Sequence, residues 1–384
     1  STTEKTTIQP ANTPEMRGSR PGVVEHSHNQ HPGDRDILVR CAMGQQSVVE
    51  RTPVWLMRQA GRYQAAFRHY STKLGFRERS ETSAYATELS MICQRAYGLD
   101  GIILFSDILT PLPCLGIDFD VLTGKGPVIE SSLETAEDVQ ALPRYEFDEK
   151  VPFIREILRN LSQQAEESNT SLIGFVGAPF TLAAYTLEGQ SSKHCLTTKR
   201  AMLQDMEGTN SMMSSFIDRL ADLIGDYACH QIDCGAQVIQ IFESWAHQLS
   251  PQYFRQFAKP AALKVIAKIR QQHPDTPIIY YANGGSSFLE DQSDMNVMIG
   301  VDWAVDLATA RQRLGDHVPI SGNIDPSILK EGTQAQIEQA VRDCIDAAGG
   351  PGRHVLNLGH GVLQGTPEEN VQYLVDEVKR YGVV

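Results

Sequence analysis

Short apolar runs rich in β-branched residues recur from about residue 36 to the end of the chain, and stretches with helical spacing separate them. Strands that alternate with helices pair in parallel through right-handed crossovers. Eight such units predict an α/β fold, a single closed (β/α)8 TIM barrel. The runs are VWLM (54–57), IILFS (102–106), LIGFV (172–176), VIQIF (238–242), PIIYY (277–281), VMIGV (297–301), HVPIS (317–321) and HVLNL (354–358).

An open doubly wound sheet is the alternative arrangement of the same units. No G-x-G-x-x-G motif follows the first run, which disfavours that alternative. Helical spacing is evident over residues 203–229, 253–269, 303–314 and 337–347, and a last helix is expected over about 367–381. Thr366 is the expected N-cap of that last helix, with Pro367 in its first turn and Glu369 completing a capping box.

Residues 1–35 differ from the rest of the chain in composition, because they are rich in polar residues, Pro and His and have almost no apolar periodicity. We expect a disordered polar N-terminal extension over 1–35 and one barrel catalytic domain over 36–384. His26, His28 and His31 could bind a metal, although a solvated tail is the favoured interpretation. Whether the extension is a native tail, a transit-peptide remnant or an added expression sequence stays open.

The overall charge restricts the partners of this chain. Its 47 acidic residues outnumber its 34 basic residues, so the formal net charge is −13. Nucleic acids and anionic membranes need clustered Lys and Arg, so neither is an expected partner. The chain also lacks the long apolar run of a membrane span and the apolar core of a secretory signal, and we expect a soluble protein.

Seven scattered cysteines without a C-x-x-C pair favour a reducing compartment and buried, unreactive thiols. Cys229, His230 and Cys234 lie in a helical pattern, and their spacing matches no common zinc site. The sequence therefore predicts no metal site there.

Polar residues follow several of the apolar runs directly. In a TIM barrel, catalytic groups lie in the loops beyond the C-terminal ends of the strands, so these residues would converge on one mouth. They are Arg58, Gln59, Ala60, Gly61 and Arg62 after the first run, Ser106 and Asp107 after the second, Glu243 and Ser244 after the fourth, and His360 between Gly359 and Gly361 after the eighth. The third run leads into the segment GAPFTLAAYTLEG, which carries Tyr185.

Each of these residues also has a simpler interpretation. Asp107 could cap a turn, Arg58 and Arg62 could form ion pairs on a helix surface, and His360 could be a satisfied loop histidine. Gly61 argues against a plain helix, because glycine costs about 1 kcal/mol in a helix interior and suggests close backbone approach or an unusual φ. Together, two cations near one carboxylate predict a deep pocket for a polyanion, in which Arg pairs carboxylates bidentately.

The segments PVWLMRQAGRY, LFSDIL, GKGPVI, GFVGAPFTLAAYTLEG, QIFESWA, GVDWAVDLATAR, GNIDP and NLGHGV span about residue 37 to the C-terminus. In these segments the chain closely resembles the uroporphyrinogen decarboxylase family of haem and chlorophyll biosynthesis. The resemblance implies a barrel, usually homodimeric, that converts the four acetate side chains of uroporphyrinogen to methyls and gives coproporphyrinogen. It also implies a carboxy-lyase that uses no metal and no organic cofactor, with uroporphyrinogen and its partially decarboxylated forms as ligands.

The resemblance further implies roles for individual residues. Asp107 corresponds to the family's essential aspartate, and the segment Arg58–Arg62, with Gln59, Ala60 and Gly61, is expected to grip substrate carboxylates. Either Arg58 or Arg62 could deliver the proton. Tyr185, Ser244 and His360 would hydrogen-bond substrate carboxylates, and Phe175 and Phe242 would exclude water.

Two other functions are considered. A zinc-dependent corrinoid or thiol methyltransferase shares this fold, but it needs His and Cys ligands at strand ends, where none of the seven cysteines lies. A non-catalytic tetrapyrrole-binding protein would keep the arginines and could lose Asp107, which is present here.

The segments FSDILTPLP, YYANGG and GHGVLQGTPEE are similar in sequence to those of family members from oxygenic photosynthetic lineages. Together with the long polar extension, this similarity favours a plastid location. A cytoplasmic location is the alternative.

Overall fold

The computed structural model describes residues 34–44 and 48–384. The expected extension over 1–35 lies outside these ranges except for its last two residues, which belong to the first helix. His26, His28 and His31 also lie outside the described ranges. None of the helices in the described ranges is long and apolar enough to cross a membrane.

Seven parallel strands form one curled sheet in the order β1-β4-β5-β6-β7-β8-β9, and β2 and β3 form a separate antiparallel hairpin. Every neighbouring pair in the large sheet is parallel, with a helix in most of the crossovers, which confirms the predicted TIM-barrel class. The strands are β1 (Gly101–Ile103), β2 (Phe119–Leu122), β3 (Gly126–Ile129), β4 (Ser171–Gly177), β5 (Val238–Glu243), β6 (Ile278–Ala282), β7 (Met298–Gly300), β8 (Ile320–Ile324) and β9 (Val355–Leu358).

The first predicted strand, residues 54–57, is not a regular strand. Its residue Val54 makes one isolated parallel bridge to Leu356 of β9, and on the other side its carbonyl accepts a 2.9 Å bond from the Asp100 amide. Side chains take over much of the remaining pairing, because the Val54 amide donates to the Asp100 carboxylate and the Met57 amide donates to the Asn357 side chain. This extended segment lies between β9 and β1, so it occupies the eighth position of the barrel without a strand ladder.

A second strand is displaced along the chain. The prediction over 317–321 was wrong at its start, because β8 begins at Ile320 and runs through the polar residues Gly322 and Asn323. Residues 315–318 form a turn in which the Val318 amide donates to the Gly315 carbonyl. The apolar run therefore covers the turn and only the first part of the strand.

The helices surround the sheet. They are α1 (Asp34–Ala42), α2 (Ala65–Ser71), α3 (Phe76–Glu81), α4 (Ser83–Tyr97), α5 (Ala136–Gln140), α6 (Phe147–Lys150), α7 (Pro152–Glu167), α8 (Pro179–Glu188), α9 (Leu196–Glu207), α10 (Met212–Asp233), α11 (Pro251–Tyr253), α12 (Lys259–Gln272), α13 (Leu307–Leu314), α14 (Pro326–Glu331), α15 (Gln334–Ala347) and α16 (Glu368–Tyr381). A π-helical turn over Phe254–Ala258 joins α11 to α12.

Two helix predictions needed correction. The pattern over 203–229 belongs to two helices, since α9 ends at a left-handed C-cap, Gly208, before α10 begins. The last helix lies where it was expected, but its N-cap is Pro367 and no side chain caps it, because the Thr366 hydroxyl donates to the Leu363 carbonyl.

Alternate residues of β4, β5 and β6 face two separate apolar cores. Ile173, Val238 and Ile279 belong to the inner cluster, whereas their neighbours Leu172, Ile239 and Ile278 pack against the outer helices. Helix α1 contributes Ile37 and Leu38 to the inner cluster. The polar mouth is formed by the loops that follow the strands.

Candidate active site

Arg58 lies in a turn directly after the extended segment and not on a helix. Its φ of +54° is in the left-handed region, which a non-glycine residue adopts at a cost of about 1–3 kcal/mol and which clusters at functional sites. The turn is fixed from both sides, since the Met57 amide donates to Asn357 Oδ1 at 2.9 Å and the Met57 carbonyl accepts from the Val362 amide at 3.0 Å. A Cβ at Gly361 would lie 2.5 Å from Arg58 Cδ, so that glycine makes room for the arginine stem.

The unusual φ expected at Gly61 belongs to Arg58 instead. Gly61 has no positive φ, and a Cβ there would meet its nearest neighbour at an ordinary 3.5 Å. Gln59 is fully buried, with its Oε1 accepting from the Leu56 amide and its Nε2 donating to the Gly101 carbonyl. Ala60 packs against the outer core and against a third, smaller apolar cluster that consists of Phe67, Tyr70, Tyr85, Leu89 and Ile92. Gln59, Ala60 and Gly61 shape the turn that presents Arg58.

Asp107 follows β1 by four residues and is half-buried. Its Oδ1 accepts a 2.7 Å bond from the Leu109 amide, which is the turn chemistry of the simpler interpretation. Burial raises the pKa of this carboxyl, while the Leu109 amide and the charge of Arg58 oppose the rise. Asp107 thus combines a turn bond with a partly desolvated carboxylate in the field of Arg58.

The charge of Arg58 also affects the pKa values of His360 and Tyr281. The pKa of His360 is lowered by burial first and then by the charges of Arg58 and His247. The pKa of Tyr281 is raised by burial and by Asp302, and Arg58 opposes that rise. Arg58 therefore lies at the centre of a group that includes three of the predicted site residues, Arg58, Asp107 and His360.

Aromatic rings form one wall of this mouth. Phe175 on β4 and Phe242 on β5 are half-buried and meet edge to face at 5.7 Å, and Phe242 meets Tyr281 at 6.0 Å. Tyr185 on α8 packs on Trp245 with ring centroids 4.6 Å apart. Ser244 is half-buried, and its carbonyl accepts from the side chain of Asn283.

Arg62 is the predicted site residue that stands apart. It is exposed, and its charge lowers the pKa of Arg79, whereas no effect of Arg62 on the pKa of Asp107 is evident. Two cations were expected near the Asp107 carboxylate, but only the charge of Arg58 affects the pKa of Asp107, whereas that of Arg62 affects the pKa of Arg79.

No group of three or more His, Cys, Asp or Glu side chains in residues 34–44 and 48–384 is arranged to hold a metal ion. All seven cysteines are buried and unpaired with one another. Burial raises the thiol pKa of Cys41, Cys93 and Cys344 to about 12, which keeps these thiols protonated and unreactive.

A family model described as "Uroporphyrinogen decarboxylase (URO-D)" matches residues 35–381. A uroporphyrinogen decarboxylase of Picosynechococcus is 47% identical over 345 residues, which cover 89% of this chain and 96% of that relative. The uroporphyrinogen decarboxylase of Synechocystis is 45% identical over 90% of this chain and 97% of its own length. This chain belongs to the uroporphyrinogen decarboxylase family.

Among solved structures, a methyltransferase from Methanosarcina mazei superposes with a TM-score of 0.74 at 18% identity, covering 91% of this chain and 98% of that protein. This likeness shows the fold alone. The sequence identity to uroporphyrinogen decarboxylases is far higher, so the family follows from them.

Glu243 has no role implied by the family resemblance, although it was expected among the polar residues at the ends of the apolar runs. Glu243 is fully buried at the end of β5. It accepts bonds from the Thr181 amide and hydroxyl through Oε1 and from the Tyr280 hydroxyl through Oε2. Burial raises its pKa to about 7, against the effect of these donors. Glu243 thus links the first turn of α8 to β5 and β6, and α8 also carries Tyr185. The sequence signal for such a buried acid is a carboxylate at the end of an apolar run.

Glu243→Gln is expected to remove a pH dependence from the stability of this uroporphyrinogen decarboxylase family member. The folded-state pKa is raised, so the neutral form is favoured in the fold, and stability is lost as pH rises from about 4.5 to about 7. The difference between a pKa of about 4.5 and one of about 7 corresponds to a loss of about 3 kcal/mol in the free energy of unfolding. Urea unfolding of both proteins at pH 5 and pH 8 measures the difference. An equal pH dependence in the Gln variant would contradict this account.

Proposed function

We propose that this protein is a uroporphyrinogen decarboxylase, which converts the acetate side chains of uroporphyrinogen to methyls in tetrapyrrole biosynthesis. The observation that carries the proposal is the half-buried carboxylate of Asp107 in the field of Arg58 at the mouth of the barrel. An acid and a cation at one mouth suit a ligand with inner N–H donors and outer carboxylates. The family relationship supplies the identity of that ligand.

The proposed reaction begins with a proton added to a pyrrole ring carbon. The resulting cationic ring accepts the electron pair of the bond that breaks between the acetate methylene and its carboxylate, and CO2 leaves. A second proton then converts the methylene to a methyl, and the ring carbon loses its added proton, so one proton is consumed for each CO2. No oxidant or reductant is needed for this balance.

Asp107 is the proposed stabiliser of the ring cation. An ionised Asp107 beneath the macrocycle accepts hydrogen bonds from the pyrrole N–H groups, and its negative charge opposes the developing positive charge. Burial already raises its pKa, so the free carboxylate is poorly solvated. A cationic ring with N–H donors would replace the missing solvation, most strongly in the transition state.

Arg58 is the proposed partner of the reacting carboxylate and a candidate proton donor, and Arg62 is the second candidate. His360, Tyr185 and Ser244 are proposed to bind other carboxylates, with Phe175 and Phe242 limiting water. Gln59, Ala60 and Gly61 act by shaping the Arg58 turn, since the side chain of Gln59 is bonded to backbone groups. We propose residues 36–384 as the catalytic unit.

Incubation with uroporphyrinogen under reducing, anaerobic conditions tests the function. Chromatography that separates products by carboxyl count should give species with seven, six, five and finally four carboxyls. Unchanged substrate with the folded protein would contradict the proposal. Binding of the macrocycle without products would instead favour the non-catalytic tetrapyrrole-binding alternative, and stoichiometric zinc would revive the methyltransferase alternative.

A homodimer is proposed as the assembly. Trp303, which follows β7 at the mouth, is 53% exposed and borders a groove of about 920 Å3 that Ile324, Ile328 and Ala340 help to line. An exposed aromatic residue beside such a groove is typical of protein interfaces. Sedimentation velocity should give a dimer that Trp303→Asp dissociates, and a monomeric wild type would contradict the assembly.

A plastid is proposed as the location, because the similar enzymes of Picosynechococcus and Synechocystis are cyanobacterial. A fluorescent protein that carries residues 1–35 should enter isolated chloroplasts if these residues address the protein there. Retention outside the organelle would favour the cytoplasm.

A further inference from the structure

Arg79 on α3 is a buried guanidinium that the proposed chemistry does not use. Only 9% of the residue is exposed. Its Nε donates to the Leu74 carbonyl at 3.2 Å, and its Nη1 is buried without a hydrogen-bond partner in the described ranges. Among the described residues, no carboxylate lies within ion-pair distance of it. A buried cation without a counter-charge is costly, so its presence calls for an explanation.

Three phenylalanine rings enclose this guanidinium. Its Cζ lies 5.3 Å from the ring centre of Phe67, 5.5 Å from that of Phe76 and 5.8 Å from that of Phe105. Ring faces attract a cation but do not neutralise its charge. Phe105 immediately precedes Ser106 and Asp107, so this aromatic enclosure adjoins the loop that carries the proposed catalytic acid.

In the described part of the chain, the one charge that affects the pKa of Arg79 is that of a second cation, Arg62. Burial lowers the pKa of Arg79, and the charge of Arg62 lowers it further. Arg62 itself is exposed and follows Arg58 by four residues. Two like charges repel in the free protein, and an anion placed between them would turn the repulsion into two favourable interactions. The neighbouring arginine of α3, Arg77, differs, because Glu81 and Asp118 compensate its charge.

We propose that Arg79 and Arg62 form a second anion subsite at the mouth, which binds a peripheral carboxylate of the ligand that does not react while Arg58 and Asp107 face the reacting ring. The inference rests on the proposed function for the identity of the ligand. A macrocycle with eight carboxylates has several that do not react at any one time. Each of these carboxylates needs a cationic or hydrogen-bonding partner when the ring binds at a mouth with few cations. Arg79 is therefore a specificity residue that senses carboxylate number.

Arg79→Met tests the subsite, because Met keeps an unbranched side chain that packs against aromatic rings and removes only the charge and its donors. Binding of oxidised uroporphyrin, measured by fluorescence quenching, should weaken about tenfold, as expected for loss of a charge-assisted hydrogen bond. The salt dependence of binding should become shallower. In turnover, KM should rise by a similar factor while kcat stays within about twofold, since the reacting groups are retained.

Two further variants make the result decisive. Arg77→Met removes an arginine from the same helix and should leave uroporphyrin binding unchanged. Arg79→Lys should recover part of the affinity and of the salt dependence if charge is what matters. Wild-type affinity and salt dependence in Arg79→Met, with a lowered melting temperature, would overturn the proposal and leave Arg79 a packing residue. A wild-type protein that neither binds uroporphyrin nor releases CO2 would instead refute the proposed function itself.

Discussion

Asp107→Ala is expected to lower kcat for uroporphyrinogen by about 10²–10³-fold, the usual effect of removing one preorganised group that stabilises transition-state charge. The variant should still fold, because the half-buried carboxylate of Asp107 accepts only one hydrogen bond, from the Leu109 amide in its own turn. Its melting temperature should not fall much, since burial raises the pKa of the carboxyl and the ionised form is unfavourable in the fold. The loss would therefore be one of catalysis and not of structure.

The pH profile gives an independent measure of the same group. An ionised Asp107 is required, and its pKa is raised above that of an ordinary aspartate, so kcat/KM should fall as pH drops through that raised pKa. Asp107→Asn keeps the shape and can keep the bond from the Leu109 amide, but it should lose this acidic limb together with most of the rate. Bound macrocycle should lower the pKa of Asp107, since N–H donors favour the charged form.

Asp118→Asn is the matched control, because Asp118 is an exposed aspartate that pairs with Arg77 at the start of the β2–β3 hairpin. That variant should retain wild-type kcat and the wild-type acidic limb. Release of CO2 by Asp107→Asn at the wild-type rate would end the assignment of Asp107 as the stabiliser of the ring cation.

The parts of the fold that sequence pattern could predict are those in which local signals agree. The run over 172–176 is apolar on both faces because β4 lies between the inner and the outer core, and such strands read as continuous apolar runs. The extended segment at 54–57 looks the same in sequence. Its pairing depends on Asp100 and Asn357, which are 46 and 300 residues away, so no local pattern could show that side chains replace the ladder there.

The candidate site also has residues that sequence pattern could predict and residues that it could not. The grouping of Arg58, Asp107 and His360 could be predicted because each follows an apolar run, and the barrel brings the ends of those runs to one mouth. Arg79 was not identifiable, because α3 belongs to no strand end and its arginine is enclosed by rings from three different segments. An unusual φ or a close backbone approach was expected at Gly61, since glycine is the usual occupant of the left-handed region, but Arg58 has the left-handed backbone. A function that requires arginine at a strained position reverses this preference.

Arg58→Ala is the second large expected effect, with kcat/KM for uroporphyrinogen lowered by about 10²-fold or more. Removing one partner of a close charge pair typically costs about 2–5 kcal/mol. Arg58 acts on Asp107 and His360 together, so both binding and rate should suffer. Arg58→Lys should recover only part of the loss, because an ammonium group cannot pair a carboxylate bidentately. Steady-state kinetics with uroporphyrinogen separates the effects on KM and kcat.

Arg58→Gly separates the catalytic role from the backbone strain. Glycine adopts the left-handed φ of +54° without the steric cost of a Cβ, so this variant should be about 1 kcal/mol more stable than Arg58→Ala while it is equally inactive. Asn296→Gly is the matched control, since Asn296 has a φ of +57° at an exposed position away from the mouth groups. That control should leave kcat/KM unchanged. Higher stability together with lost turnover in Arg58→Gly would mean that the fold tolerates a strained arginine because the chemistry needs its charge there, whereas retained turnover would remove Arg58 from the mechanism.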